Sequence, residues 1–177
     1  MSKILIVDDE ESIIESISMV LSSEGYEIDS CLDGNCAIQK TSNIEYDLIL
    51  LDIKMPKMDG IEVLEKIMDF NRNNIVIMIS GHGTIDTAVE ATKKGAYNFL
   101  QKPLPDLHEL KLTIKNAINF KKSRDELKKV KNELKESNII IGSSEKITAV
   151  KELINKFSKL NSNVLICGES GTGKELV

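Results

Sequence analysis

The sequence predicts a doubly wound α/β fold built on a five-stranded parallel sheet. Strand-like and helix-like patterns alternate five times within roughly the first hundred residues. Three strand candidates are almost wholly apolar (ILIV, LILL and IVIMI), whereas a half-exposed antiparallel strand would alternate apolar and polar residues. Buried strands that alternate with helices are typical of a parallel sheet covered by helices on both faces.

The individual elements follow from this pattern. The five predicted strands are Ile4–Val7, Glu27–Leu32, Asp47–Leu51, Ile75–Ile79 and Tyr97–Gln101. Helical periodicity is clear at Ser12–Ser23 and at Gly60–Phe70, where apolar residues collect on one side. A further apolar stripe predicts a fifth helix on the sheet, formed by Leu107, Leu110, Ile114 and Ile118.

Three regions are expected along the chain. The first domain covers residues 1–120, and residues 106–137 form its fifth helix and a helical linker that contains no Gly or Pro. Residues 138–177 start a second α/β unit, with an apolar trio at Ile139–Ile141, a helix at Glu145–Lys159 and a strand at Val164–Cys167.

Two hypotheses are open for the linker. Phe120, Leu127, Val130 and Leu134 have coiled-coil-like spacing, with Ser123 at a weak position. One hypothesis is a helix that pairs with a second copy, and the other is a single amphipathic helix lying on its own domain. We favour the pairing helix, because the stripe continues past the edge of the first domain.

Composition and charge exclude several classes of protein. Of the 177 residues, 41% are hydrophobic and 29% charged, which is typical of a globular protein. No apolar run approaches the roughly 20 residues that span a bilayer, and no signal peptide is evident, so we expect a cytoplasmic protein without a membrane partner. Residues 1–105 contain 9 basic and 18 acidic residues, which disfavours nucleic-acid binding. The basic linker is interpreted as a solvated helix.

The cysteines and histidines do not predict a metal centre. Cys31, Cys36 and Cys167 lack zinc-ligand spacing and form no CxxC pair, so we expect reduced and mostly buried thiols. His82 and His108 are too far apart along the chain to suggest a metal cluster.

Polar residues gather where the predicted strands end. The carboxyl ends of parallel strands meet at one edge of a sheet, where the functional groups of such folds lie. The residues at this edge are Asp8, Asp9, Glu10, Asp52, Ser80 and Lys102. Any one of these acids alone would be interpreted as a helix cap. Their convergence with a lysine indicates a functional site.

This acidic cluster predicts a magnesium-dependent phosphoryl acceptor. Closely packed carboxylates repel each other, and a divalent cation with oxygen ligands resolves that repulsion. With Mg²⁺ and Lys102 neutralising an incoming phosphoryl group, Asp52 is left as an oxygen nucleophile that forms an acyl phosphate. Ser80 and nearby N–H groups would then donate to the phosphoryl oxygens.

Four ordered motifs resemble response-regulator receiver domains over about residues 1–120: VDDE at 7–10, LLDIKMPKMDG at 50–60, ISGHGT at 79–84 and GAYNFLQKP at 95–103. The resemblance implies a flavodoxin-like fold that a sensor histidine kinase phosphorylates on Asp52. It also implies that Asp9 binds Mg²⁺ directly, that Asp8 helps through water, and that the backbone carbonyl of Lys54 is a further ligand.

The same resemblance assigns three more residues. Lys102 would bind the phosphoryl group, Ser80 would be the switch hydroxyl, and Phe99 would be the switch aromatic, although its ring lacks the hydroxyl of a tyrosine at that position. It also implies a cis peptide bond between Lys102 and Pro103. Such a receiver would be a switch rather than an enzyme, although it catalyses its own phosphotransfer and dephosphorylation, and its dimerisation would respond to phosphorylation.

A phosphate-binding motif, GESGTGKE, occupies residues 168–175. Glycines in such a loop let backbone N–H groups face phosphates, and Lys174 would reach the terminal ones. The general pattern has Ser or Thr where this chain has Glu175. However, the loop resembles the Walker A loop of bacterial enhancer-binding activators that work with sigma-54 RNA polymerase, and IIIGSSEKI at 139–147 resembles the start of their AAA+ domain. The implied ATP-contacting residues are Gly168, Glu169, Ser170, Gly171, Thr172, Gly173, Lys174 and Glu175.

The rest of such an ATPase domain does not follow in this sequence. We therefore expect residues 138–177 to be a fragment without ATPase activity, with ATP, sigma-54 polymerase and enhancer DNA engaged only through further domains. Two alternatives remain. One is a magnesium-dependent phosphohydrolase with an aspartate nucleophile, which is disfavoured because the first strand ends in DDE rather than DxD. The other is a nucleotide-binding protein that uses residues 168–174.

Overall fold

The computed structural model of the protein describes residues 2–81, 84–103, 106–137, 140–159, 163–171 and 173–174, with side chains at all of these except 132–137. The chain divides into two compact units, Met1–Arg124 and Asp125–Val177.

The first unit contains one five-stranded sheet. Its strands are β1 (Lys3–Val7), β2 (Glu27–Cys31), β3 (Leu48–Asp52), β4 (Val76–Ser80) and β5 (Asn98–Gln101). All neighbouring strands pair in parallel, in the order β2-β1-β3-β4-β5. The order reverses after β2, which makes this a doubly wound sheet and opens a crevice at the carboxyl ends of β1 and β3.

Helices cover both faces of this sheet. They are α1 (Glu11–Ser23), α2 (Gly34–Asn43), α3 (Gly60–Phe70), α4 (Ile85–Lys93) and α5 (Leu107–Ser137), and α6 (Glu145–Phe157) belongs to the second unit. The N-terminal ends of α2, α3 and α4 are capped by Asp33, Asp59 and Thr84 respectively, whose side chains accept backbone N–H groups of the first helical turn. No helix in the described ranges is both long and apolar enough to cross a lipid bilayer.

The two faces explain why the central strands are apolar throughout. Successive strand residues point to opposite faces. In β1, Leu5 and Val7 enter a core cluster with α2, α3 and α4, whereas Ile4 and Ile6 enter a second cluster with α1 and α5. Both faces are therefore dry, and a run such as ILIV is required rather than an alternating pattern.

The predicted fold is confirmed, with strand and helix boundaries within two residues of the predictions for the sheet, α1 and α3. The cis bond between Lys102 and Pro103 is also present. Within the fifth-helix stripe, Leu110, Ile114 and Ile118 are buried as expected. Leu107 is exposed instead, because it is the first residue of α5 and lies one turn before the helix reaches the sheet.

The prediction of reduced cysteines is wrong for one pair. Cys31 and Cys36 form a disulfide, with Cα atoms 5.7 Å apart. Cys31 ends β2 and Cys36 lies in the first turn of α2, so the short connection between them turns the chain back on itself. Cys167 is a free thiol and is exposed rather than buried.

The second unit differs from its predicted form at one element. Helix α6 forms close to the expected range, and its N-cap Ser144 accepts the N–H of Ile147. Val164–Cys167, predicted as a strand, is not one, and its apolar side chains are exposed. A strand needs a neighbour for its backbone hydrogen bonds, and the described residues of this unit include no other strand.

Candidate functional site

The site lies at the carboxyl edge of the sheet, where four strands deliver one polar residue each. Asp8 follows β1, Asp52 ends β3, Ser80 ends β4 and Lys102 follows β5. Asp8, Asp52 and Ser80 are buried, and only 3% of Asp52 is exposed. The parallel register of neighbouring strands brings these ends together, which is why residues 94 positions apart in sequence make direct contact.

Lys102 is the centre of this cluster. Its Nζ lies 2.8 Å from Asp8 Oδ2, 2.8 Å from Asp52 Oδ1 and 3.9 Å from Glu10 Oε1. Its backbone N–H donates to the carbonyl of Ser80 over 2.7 Å, which aligns the chain after β5 with the end of β4. One ammonium therefore links three carboxylates and two strands.

The charges in this site are strongly coupled. Burial raises the pKa of Asp52 above its ordinary value, and the nearby Asp8 adds to that effect, although Lys102 and the backbone N–H of Lys54 oppose it. Burial alone would lower the pKa of Lys102, but its bonds to Asp52 and Asp8 outweigh burial and hold that pKa above its ordinary value. Lys102 therefore stays positively charged beside Asp52 and Asp8, whereas burial disfavours the charged form of Asp52.

The loop after β3 holds Asp52 in position. Gly60 begins α3, and its N–H donates to the carbonyl of Ile53 over 2.8 Å. A Cβ at Gly60 would lie 2.0 Å from the carbonyl oxygen of Asp52, so only glycine fits there. Lys57, at the turn of this loop, has a φ of 71°, which is uncommon for a residue with a side chain.

Ser80 and Phe99 lie on the side of the site towards α4. A cavity of about 330 Å³ opens beside Ser80, and its lining includes Lys54, Thr87 and Lys94. Phe99 is half-buried in β5 and packs against the core cluster under α2, α3 and α4. The predicted hydroxyl and aromatic residues thus lie on adjacent strands, β4 and β5.

The donor set fits a divalent cation with oxygen ligands. Asp8 and Asp52 are buried carboxylates, and together with Glu10 they exceed the single positive charge of Lys102. Asp9 is exposed beside Asp8. In the described ranges no three His, Cys, Asp or Glu side chains are arranged to hold a metal ion. A cation here would therefore draw on main-chain oxygen as well as on the carboxylates.

Two residues of the predicted motifs have contacts that the sequence does not specify. Glu10, at the end of the predicted acidic run, faces Lys102. Gly60 lies so close to the carbonyl of Asp52 that only glycine fits. The Met-Asp-Gly sequence at 58–60 is the sequence signal for this contact. Asp59 is a typical N-cap residue, and the glycine after it allows α3 to begin close to β3.

The phosphate-binding motif lies in the second unit. Gly171 and Gly173 have φ values of 78° and 80°, as a loop with inward-facing N–H groups requires. Lys174 Nζ donates to the carbonyl of Gly168 over 2.9 Å and also to that of Glu169. Thr172 and Glu175, predicted to contact ATP, lie outside the described residues.

Comparison with known families agrees with this geometry. Residues 4–115 match the response regulator receiver domain, a span that includes Asp8, Asp52, Ser80 and Lys102. The chain belongs to the response regulators. Residues 140–177 of this response regulator match part of the sigma-54 interaction domain, in the order expected for NtrC-type regulators.

Known relatives share both parts. The regulatory protein AtoC of Escherichia coli is 33% identical over 99% of this chain, which spans 39% of that protein. NtrX from Brucella abortus, solved in complex with ADP, is 33% identical over 99% of this chain and 40% of its own, with a TM-score of 0.69. This response regulator thus spans about two fifths of the length of such relatives.

The receiver alone also has solved counterparts. The beryllofluoride-activated NtrC4 receiver domain dimer is 42% identical, with a TM-score of 0.65, and covers 68% of this chain and 99% of its own.

Proposed function

We propose that this response regulator is switched by phosphorylation of Asp52, with a sensor histidine kinase as the phosphoryl donor. The observation that carries the proposal is a buried Asp52 carboxylate 2.8 Å from Lys102 and close to Asp8, at the switch point of a doubly wound sheet. A buried carboxyl group with a perturbed pKa and a specific charged partner is typical of a functional site.

Each residue has a defined role in this proposal. An Asp52 oxygen attacks phosphorus, the bond from phosphorus to the donor's imidazole nitrogen breaks, and the nitrogen takes up a proton. Lys102 stays with the new phosphoryl oxygens, Ser80 donates its hydroxyl to them, and Phe99 moves with Ser80. Asp8, Asp9, Asp52 and the carbonyl of Lys54 would hold Mg²⁺, which would supply positive charge to the phosphoryl oxygens.

The test is intact-mass measurement of the full chain after treatment with acetyl phosphate, with and without MgCl₂. We expect one phosphoryl group per chain, added only with Mg²⁺ and lost in mild base, because an acyl phosphate is labile. Asp52→Asn should remain unlabelled. Asp69→Asn, at an exposed aspartate at the end of α3, is the matched control and should label normally. A phosphate that survives mild base, or labelling of Asp52→Asn, would contradict the proposal.

We also propose that phosphorylation controls the pairing of this chain with a second copy of itself. In the linker, Leu127 and Val130 are 70% and 51% exposed, and they form an apolar strip that a second copy would cover. Burying a few such side chains stabilises a dimer by about 1.5–3 kcal/mol each before association costs, so the linker needs help from the face made by α4 and β5. Phosphorylation would shift this balance and, in longer relatives, the activity of an AAA+ ATPase with sigma-54 polymerase and enhancer DNA as partners.

Sedimentation of the full chain tests the linker's role. Leu127→Lys/Val130→Lys should weaken the dimer, because two charges would be placed in the apolar seam. Glu126→Lys produces the same change in net charge at an exposed polar position and should sediment like the parent. Equal weakening by both variants would indicate a general charge effect and would remove the strip from the interface.

ATP binding is proposed for the loop at residues 168–175 in longer relatives. In this chain the ammonium of Lys174 is engaged with its own loop carbonyls, which phosphate oxygens would have to replace. We therefore assign the signalling function to the receiver.

A further inference from the structure

The disulfide lies directly beside the acidic site. Cys31 is the last residue of β2, opposite Val7 in the register of β1. Its carbonyl accepts the backbone N–H of Asp8 over 3.2 Å. Asp8 in turn holds Lys102 through its side chain. One hydrogen bond therefore separates the cysteine pair from the phosphorylation site.

The positions of both cysteines are determined by the fold. Cys31 follows from the pairing of β1 with β2. Cys36 is held in the first turn of α2, where its N–H donates to the Asp33 cap over 2.8 Å. The start of α2 also packs closely on α3, since a Cβ at Gly34 would lie 2.4 Å from Val63. A Cα separation of 5.7 Å is thus a property of the backbone, and it suits a disulfide.

The two thiols differ in access to solvent. Cys31 is 3% exposed and belongs to the core cluster, whereas Cys36 is only partly buried and packs at the edge of that cluster. The neighbouring Leu32 and Asn35 are exposed, so the connection from β2 to α2 faces solvent. A dissolved oxidant therefore meets Cys36 first.

We propose that Cys31 and Cys36 are a reversible thiol–disulfide site, in which Cys36 reacts with a low-molecular-weight disulfide and Cys31 closes the intramolecular bond. The Cys36 thiolate attacks one sulfur of the small disulfide, its S–S bond breaks and one small thiol leaves. Cys31 then attacks the Cys36 sulfur and releases the second small thiol. The protein loses two electrons and two protons, and the small disulfide gains both. Excess small thiol reverses both steps.

The experiment uses the full chain with Cys167→Ser, because Cys167 is an exposed thiol that would react independently. The reduced protein is incubated with oxidised glutathione, quenched in acid, denatured, treated with N-ethylmaleimide and weighed intact. We expect the parent to lose two hydrogens and to take neither maleimide nor glutathione. In this part of the experiment neither Cys31 nor Cys36 is substituted, so the result does not depend on the folding of a cysteine variant.

Two variants test the order of reaction. Cys31→Ala should accumulate one glutathionyl group on Cys36, because no second thiol can displace it. Cys36→Ala should keep Cys31 as a thiol that reacts several-fold more slowly and takes maleimide only after denaturation. Two maleimides on the parent, a parent that retains glutathione, or faster reaction of Cys36→Ala than of Cys31→Ala would each overturn the proposal. None of these readouts depends on phosphorylation of Asp52.

Discussion

The carboxyl edge and the amino edge of the sheet each have a lysine that is largely shielded from solvent. The two lysines have different partners. At the carboxyl edge, Lys102 lies 2.8 Å from the buried carboxylates of Asp8 and Asp52. At the amino edge, Lys121 of α5 is 3% exposed and donates to the carbonyl of Tyr46 over 2.6 Å. Its other partner is the carboxylate of Glu45, at 3.0 Å, which is mostly solvated.

One turn of α5 contacts the segments that precede β3, β4 and β5 at the amino edge. Lys121 reaches Tyr46, two residues before β3, and Arg124 donates to the carbonyl of Asn73, before β4. Phe120 packs its ring 5.2 Å from that of Tyr97, just before β5. Neutral carbonyls and an aromatic ring are the main partners here, so this edge holds α5 against the sheet.

The difference shows which buried lysine can act as a switch. Removing either partner from a satisfied pair is costly in a dry environment. At the carboxyl edge, negative charge exceeds positive charge and a cavity adjoins Ser80, so a phosphoryl group and a cation can exchange with existing contacts. At the amino edge Lys121 has both a carbonyl and a carboxylate partner without a ligand, although the buried Nε of Arg124 has no hydrogen-bond partner among the residues that the structure describes. Such an edge is expected to act as a structural anchor.

The largest expected effect is that of Gly60→Ala at the carboxyl edge. Its Cβ would lie 2.0 Å from the backbone oxygen of Asp52, which cannot move without shifting β3. We expect a loss of at least about 3 kcal/mol in the free energy of unfolding, and loss of labelling by acetyl phosphate in the protein that still folds. Chemical denaturation and intact mass measure the two effects.

Gly81→Ala is the matched control for this substitution. A Cβ at Gly81 would meet Lys102 Cβ at 4.0 Å, an ordinary contact, so stability should change little. If Gly60→Ala were as stable as Gly81→Ala, the close approach of α3 to Asp52 would be wrong.

Lys121→Met should lower the stability of the protein without affecting the site at the carboxyl edge. Methionine keeps most of the aliphatic stem but leaves the Tyr46 carbonyl without its donor, which costs about 1–3 kcal/mol. Labelling of Asp52 should be unchanged in the folded protein. Lys122→Met, at the exposed neighbour, should cost less than about 0.5 kcal/mol. A loss of labelling in Lys121→Met would show that the amino edge also affects phosphorylation. The functional distinction between the two edges would then be wrong.

Lys102→Ala should affect the response to phosphorylation rather than the labelling of Asp52. We expect Asp52 to accept a phosphoryl group still, because Mg²⁺ would supply much of the charge during transfer. The change in sedimentation on phosphorylation should be lost, since Lys102 is the group that we propose contacts the attached phosphoryl oxygens. Normal labelling with a full change in sedimentation would assign that contact to another residue.

The carboxyl edge could be predicted from sequence because strand ends determine it. Once the five strands are recognised, Asp8, Asp52, Ser80 and Lys102 all fall at the carboxyl ends of four of them, and a parallel sheet brings those ends together. No distances were needed for that inference. The roles of these residues in phosphoryl transfer remain predictions until the labelling experiment is done.

The amino edge and the disulfide could not be predicted in the same way. Lys121 and Arg124 lie in a basic run that is typical of a solvated helix, and their burial depends on where α5 crosses the loops before β3 and β4. Cys31 and Cys36 meet because α2 starts immediately after β2, a geometry that a spacing of five residues does not specify. Such contacts depend on tertiary placement rather than on periodicity.

The smallest expected effect concerns pH at the amino edge. The Tyr46 hydroxyl donates to Asp29 over 2.7 Å, and this bond, with help from Lys3, holds the pKa of Asp29 below its ordinary value of 3.8 even though burial opposes it. A carboxyl group with a lowered folded pKa stabilises the protein above its unfolded pKa, and that contribution disappears as pH falls through the folded pKa. Tyr46→Phe should therefore cost about 1 kcal/mol near pH 7, and the difference from the parent should shrink below a pH of 3.8. Tyr26→Phe, at a tyrosine that packs against the other core cluster, is the control and should show little pH dependence. Urea unfolding of the three proteins across this range measures the effect, and a Tyr46→Phe deficit that stayed constant with pH would show that Asp29 gains nothing from the hydroxyl.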